Sequence, residues 1–154
     1  MTAVRTALVG ALVGVLALAG CGSEDSGDEA KAAPELSATG AYMPQPLNDE
    51  MAGGFLVLRN KGERADRLVG ARSKVAGKVE IHRTVDQQMQ RVKSLPVPAD
   101  GELALKRGGN HLMFLDLRDK PVKGDKVTVT LRFAESRPLT VSMPVRATNH
   151  MPHH

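Results

Sequence analysis

Apolar residues in this chain recur at every second position, and that period decides the fold class. Val127, Val129, Leu131 and Phe133 alternate with Lys126, Thr128, Thr130 and Arg132. Leu139, Val141, Met143 and Val145 alternate with Thr140 and Ser142, while Val79, Ile81 and Val85 alternate with Glu80, His82 and Thr84. Side chains two apart on a strand share a face, so each run reads as a strand buried on one side. Leu103 and Leu105 make a shorter strand, Phe55 to Leu58 suits a fully buried one, and His111 to Leu117 reads as another. Turn residues punctuate the runs at Asn60-Lys61-Gly62, Val75-Ala76-Gly77, Pro98-Ala99-Asp100-Gly101, Arg107-Gly108-Gly109-Asn110 and Lys123-Gly124-Asp125. No window carries a helical stripe of useful length. An all-β antiparallel sandwich or barrel is the expected architecture.

The first residues set the compartment. Arg5 precedes an apolar run, Ala7 to Ala19, that is too short to span a bilayer as a helix. Leu18-Ala19-Gly20-Cys21 closes it with small residues before the only cysteine of the chain. This resembles a bacterial lipoprotein signal over residues 1–20, with Cys21 the lipidated first residue of the mature, extracytoplasmic, membrane-anchored chain. A lipid on Cys21 removes the one thiol, so thiolate ligands and disulfides are excluded.

Residues 21–37 read as a flexible acidic tether, since Glu24, Asp25, Asp28, Glu29 and Glu35 outnumber Lys31. Residues 38–146 are expected to form one domain, and 147–154 a C-terminal tail. From residue 38 onward 19 Lys and Arg face 12 Asp and Glu, so the positive charge belongs to the folded part. With three Phe, one Tyr and no Trp, an exported chain of this kind is a poor nucleic-acid binder. Anionic lipid or an acidic protein suits the charge better.

No nucleophile elbow or Gly-rich phosphate loop appears, which points away from an enzyme. What does appear is a set of His and Met residues. His111 and Met113 are two apart in a strand and project side by side. His82 lies on the polar face of its own strand. Met89 sits among Gln87, Gln88, Gln90 and Arg91, with the parity of Arg91 rather than Val92. Neutral imidazole and thioether donors together favour Cu(I) over Zn(II), Mg(II) or Ca(II). Met113, between Leu112 and Phe114, fits equally well as core. Met43 and Met51 flank Pro44-Gln45-Pro46, and packing accounts for both. The tail carries His150, Met151, His153 and His154, a set suited to a secondary Cu(II) or Cu(I) site.

Several segments resemble the PCu(A)C family of extracytoplasmic copper chaperones: Ala52–Asn60 (AGGFLVLRN), Asp66–Ala71 (DRLVGA), Val75–His82 (VAGKVEIH), Leu103–Met113 (LALKRGGNHLM) and Lys123–Val129 (KGDKVTV). The resemblance covers residues 38–146 and implies a cupredoxin-like β-sandwich. It also implies a Cu(I) site of His82, Met89, His111 and Met113, and a role in supplying copper to cytochrome oxidase. Met89 keeps the family's 21-residue interval before His111, but six residues instead of ten separate it from His82. A hairpin shortened by four residues preserves strand parity, so Met89 is expected on the His82 face.

The function expected is therefore copper binding and delivery to a recipient, an oxidase subunit or a thioredoxin-like copper protein. Copper storage or resistance, and a metal-free anchored interaction domain, are the alternatives.

Overall fold

The computed structural model describes residues 31–152, so the expected signal segment 1–20, Cys21, most of the tether, His153 and His154 lie outside the described residues. Ten strands follow one another: β1 (Leu36–Pro44), β2 (Met51–Asn60), β3 (Asp66–Arg72), β4 (Ala76–Val85), β5 (Gln88–Val92), β6 (Leu95–Val97), β7 (Gly101–Leu105), β8 (His111–Leu117), β9 (Lys126–Phe133) and β10 (Leu139–Arg146). Among the described residues there is no helix, and none long and apolar enough to cross a membrane. β1 opens at Leu36, inside the segment read from sequence as tether.

Strands β4, β8, β2, β1, β10, β9 and β3 lie side by side in that order, and the Ala71–Val79 pairing of β3 with β4 closes the ring. β5 extends the sheet beyond β4, β6 pairs with β3, and β7 pairs with the far half of β2. The expected antiparallel order holds at every described pairing except β1 with β10, which run parallel.

Alternation produces the core. On β9, Val127, Val129, Leu131 and Phe133 point inward; on β8, Leu112 and Phe114 do. Leu56, Leu58, Leu68, Leu95, Leu105 and Met143 complete the centre. Each large side chain removed from water contributes about 1.5–3 kcal/mol. Val85, counted with Val79 and Ile81 in the β4 alternation, is instead 37 % exposed where the strand runs out into the β4–β5 hairpin.

Two backbone irregularities position what lies outside that core. Gly40, at φ 61°, marks a bulge in β1, and the register with β2 shifts by one between Thr39 and Tyr42. The extra residue turns Tyr42 toward Phe55, with ring centres 5.3 Å apart, and sends Met43 fully inward. Asp86 and Gln87, at φ 48° and 63°, form a two-residue turn of the primed type that returns β5 along β4.

Candidate metal centre

Register places all four expected donors on the outer face of β5, β4 and β8. His82 on β4 is the direct partner of His111 on β8, and Glu80 is the partner of Met113. Opposed residues in such a ladder point to the same side. On the other edge of β4, His82 faces Arg91 and Thr84 faces Met89, so the shortened hairpin does keep Met89 in parity with His82. Beyond β8, Gly53 of β2 faces Met113 and Met51 faces Leu115.

The two imidazoles lie with ring centres 5.4 Å apart and planes at 46°. A ring bound to a metal through nitrogen keeps its centre about 3.2 Å from the ion, so two rings up to about 6.4 Å apart can share one. His111 is buried, and the His82 side chain is only 15 % exposed. Met113 is half-buried, flanked inward by Leu112 and Phe114. Its place on the outer face separates it from the core residues beside it. Met89 shares the face but sits on the edge strand, two residue pairs beyond His82 and 63 % exposed.

Hydrogen bonds decide which nitrogen of each ring stays free. His111 Nδ1 lies 3.0 Å from the carbonyl oxygen of Gly109, which only accepts, so Nδ1 carries the proton and Nε2 the lone pair. The Thr84 hydroxyl donates to the same carbonyl at 3.1 Å. His82 Nε2 lies 2.9 Å from Glu80 Oε2, another acceptor, which leaves the lone pair on Nδ1. Among the described residues, His82 Nδ1 and His111 Nε2 are both buried and have no hydrogen-bond partner. A pair of buried, unprotonated nitrogens on adjacent rings is costly to leave unmatched and suits a metal cation.

The hydrogen bond from His82 holds the Glu80 carboxyl below its ordinary value; burial opposes this, and Lys78 and Arg91 reinforce it. Among the described residues no three His, Cys, Asp or Glu side chains converge as a metal site. A cation here would therefore need thioether as well as imidazole, a donor set for a soft ion.

Phe55 walls the site on the β2 side, its ring centre 6.4 Å from that of His111 and capped by the Arg107 guanidinium at 5.9 Å. The tail reaches the same region. His150 meets Tyr42 edge-on at 5.1 Å, and Arg107 donates to the Thr148 carbonyl at 2.6 Å. Met151 is exposed.

Three features went unread in the sequence. Glu80 looked like an ordinary polar position, although its spacing of two from His82 puts both on one face. Met51, expected to be packed, is 44 % exposed on the ligand-bearing face, whereas Met43 is fully buried as expected. A cleft of about 970 Å³ also gathers Arg72, Lys74, Arg118, Lys120 and Lys126 beyond the other ends of β4 and β8, away from the histidines.

Comparison with known proteins agrees with this architecture. The copper-bound PCuAC domain from PmoF2 superposes with a TM-score of 0.66 at 22 % identity, covering 76 % of this chain and 97 % of that one. The solution structure of the Cu(I) form of DR1885 from Deinococcus radiodurans gives 0.64 at 28 % identity, covering 79 % and 85 %. The fold is thus the cupredoxin-like one of PCuAC domains. Putative lipoprotein Lxx21020 of Leifsonia xyli subsp. xyli (strain CTCB07) is 35 % identical over 101 residues, 62 % of this chain and 61 % of the relative. The match therefore spans about three fifths of that relative's length. The family described as "Putative lipoprotein LpqE-like" matches residues 36–145, most of the sequence and the whole barrel, and the chain belongs to that LpqE-like lipoprotein family.

Proposed function

We propose that this protein is an extracytoplasmic copper carrier. It binds one Cu(I) through His82 Nδ1, His111 Nε2 and the Met113 thioether, with Met89 joining from the β4–β5 hairpin. The observation that carries the reading is the pair of buried, unpartnered imidazole nitrogens on directly opposed residues of β4 and β8. The copper-bound states named for the PmoF2 domain and for DR1885 support it.

The chemistry is ligand exchange without a change of oxidation state. Each donor is neutral, so the ion carries its single positive charge with it when a recipient's donors displace the protein's own one at a time. An edge-strand thioether is the easiest to displace and the natural first to leave. Lipid on Cys21 would hold the carrier at the membrane face, and the tether ahead of β1 would let the site reach a membrane-bound recipient. The chemistry fits an oxidase subunit awaiting copper or a thioredoxin-like copper protein. His150 and Met151, with His153 and His154 beyond them, would collect a second copper ion near the first by local concentration.

Titration of the mature protein with Cu(I) against a competing chelator tests the proposal, together with X-ray absorption of the loaded form. One ion per chain with nitrogen and sulfur scattering is expected, and His111→Ala or Met113→Ala should weaken binding strongly. Oxygen and nitrogen scattering alone, or unchanged affinity in both variants, would overturn it. A metal-free interaction domain would bind no copper in this titration. A storage protein would bind it, yet its deletion would lower copper tolerance and leave oxidase assembly intact.

A further inference from the structure

We infer that Glu80 is a positioning residue of this site: its carboxylate selects Nδ1 of His82 as the nitrogen that meets copper. The inference rests on the copper reading above and deepens it. Lys78, Glu80 and His82 are alternate residues of β4 and share its outer face, with Glu80 directly across from Met113. A carboxylate so close to a candidate cation site invites assignment as a ligand, but both its oxygens are taken. Oε2 accepts from His82 Nε2 at 2.9 Å, while Oε1 pairs with Lys78 Nζ at 3.3 Å and Arg91 Nε at 3.5 Å.

The Glu80 side chain is 11 % exposed, compared with 57 % for Lys78 and 72 % for Arg91. The two cations thus anchor a sheltered anion from the solvent side. A carboxylate turned in this way cannot donate, so it fixes the proton on Nε2 and makes the opposite nitrogen the better donor. Carboxylate–imidazole–metal relays of this form orient the ring and raise its basicity, and losing the carboxylate typically costs 10–100-fold in metal affinity. His111 receives the equivalent service from a neutral acceptor, the Gly109 carbonyl. The two histidines are therefore held in opposite tautomers, one binding through Nδ1 and the other through Nε2.

The test uses the mature chain as wild type, E80Q, E80L, H82A and the E80L/H82A double variant. Long-range 1H–15N spectra of the copper-free protein read the imidazole tautomers, and chelator competition reads Cu(I) affinity. In wild type, His82 should carry its proton on Nε2. E80L should lose that fixed tautomer and bind Cu(I) about 10–100-fold more weakly. E80Q, which keeps an acceptor but can flip its amide, should fall between them. In the H82A background the Glu80 change should add little, because its effect passes through the imidazole. Unchanged tautomer and affinity in E80L, or an equal loss in the presence and absence of His82, would overturn the assignment to Glu80 alone. Wild type that takes up no Cu(I) would overturn the copper reading and this inference with it.

Discussion

Gly53 on β2 stands directly across from Met113 on β8, and the Phe55 ring lies against the space that a side chain larger than methyl at Gly53 would need. A Cβ added there would lie 3.4 Å from Phe55 Cζ. The glycine thus lets an aromatic ring close the site on the side away from Glu80. Gly53→Ala should be tolerated, since that contact is ordinary van der Waals distance. Gly53→Val should displace the ring, open Met113 and His111 to water, and weaken Cu(I) binding by about tenfold. Phe55→Ala should do the same without crowding. Chelator competition on the three variants checks the order.

Asn60 makes every hydrogen bond open to its amide while only 1 % exposed. Its Oδ1 accepts from the amides of Glu35 at 3.0 Å and Gly62 at 2.9 Å; its Nδ2 donates to the carbonyls of Arg64 at 2.8 Å and Pro98 at 3.1 Å. One side chain thereby joins the start of β1, the β2–β3 loop and the β6–β7 loop. Asn60→Leu removes the partner of four backbone groups, one of them buried and three part-buried, and should cost on the order of 3 kcal/mol in urea unfolding. Asn60→Asp keeps the two acceptances and should cost less.

Asp66 ties the start of β3 to the turn after β9. Burial alone would raise its pKa, but the neighbouring Ser136 side chain and hydrogen bonds from the amides of Arg67, Glu135 and Ser136 lower it on balance. A folded pKa below the unfolded one means the stabilisation is fully present above the unfolded value of about 3.9 and is lost as pH falls through the folded value. Wild type should therefore lose stability below about pH 4, and Asp66→Asn should flatten that part of the profile. Urea unfolding between pH 2 and about pH 7 reads both limbs.

Much of the barrel was legible because burial on one side writes itself into the sequence. β9 and β10 alternate cleanly since their outer faces meet water. β1 was not read as a strand: its bulge at Gly40 breaks parity midway, so Tyr42 and Met43 fall out of phase with Leu36 and Ala38. At the site, spacing alone put His111 beside Met113, because that relationship lies within one strand. The His82–His111 pairing is a register between strands 29 residues apart, which no local pattern encodes. The free nitrogens were further out of reach, since they depend on the Gly109 carbonyl and on a rotamer of Glu80.

Gln87 holds φ 63° in the β4–β5 turn, a conformation that glycine adopts without a Cβ penalty. Gln87→Gly should therefore stabilise the hairpin by about 0.5–1 kcal/mol, less what the unfolded chain gains in freedom. Asp86→Asn, at φ 48°, should help further, because Asn-Gly is the favoured pair for this turn. Thermal unfolding of the double variant checks the sign. A fall in midpoint would mean that the turn is shaped by something other than its own backbone.

The same hairpin sets what Met89 can contribute. Met113 is half-buried on a central strand, so its rotamer is largely chosen before copper arrives; Met89 is 63 % exposed on the edge strand. Ordering a free methionine side chain costs about 1.5–2 kcal/mol, and that cost is subtracted from whatever its thioether gains on binding. Met89→Ala should therefore weaken Cu(I) binding less than Met113→Ala, by about tenfold in the ratio of the two losses. It should also change release more than capture, since the last donor to close is the first to open. Competition measurements on both variants, with stopped-flow transfer to a chelator, separate the two effects. Equal losses would mean that the hairpin holds Met89 in place before the ion binds.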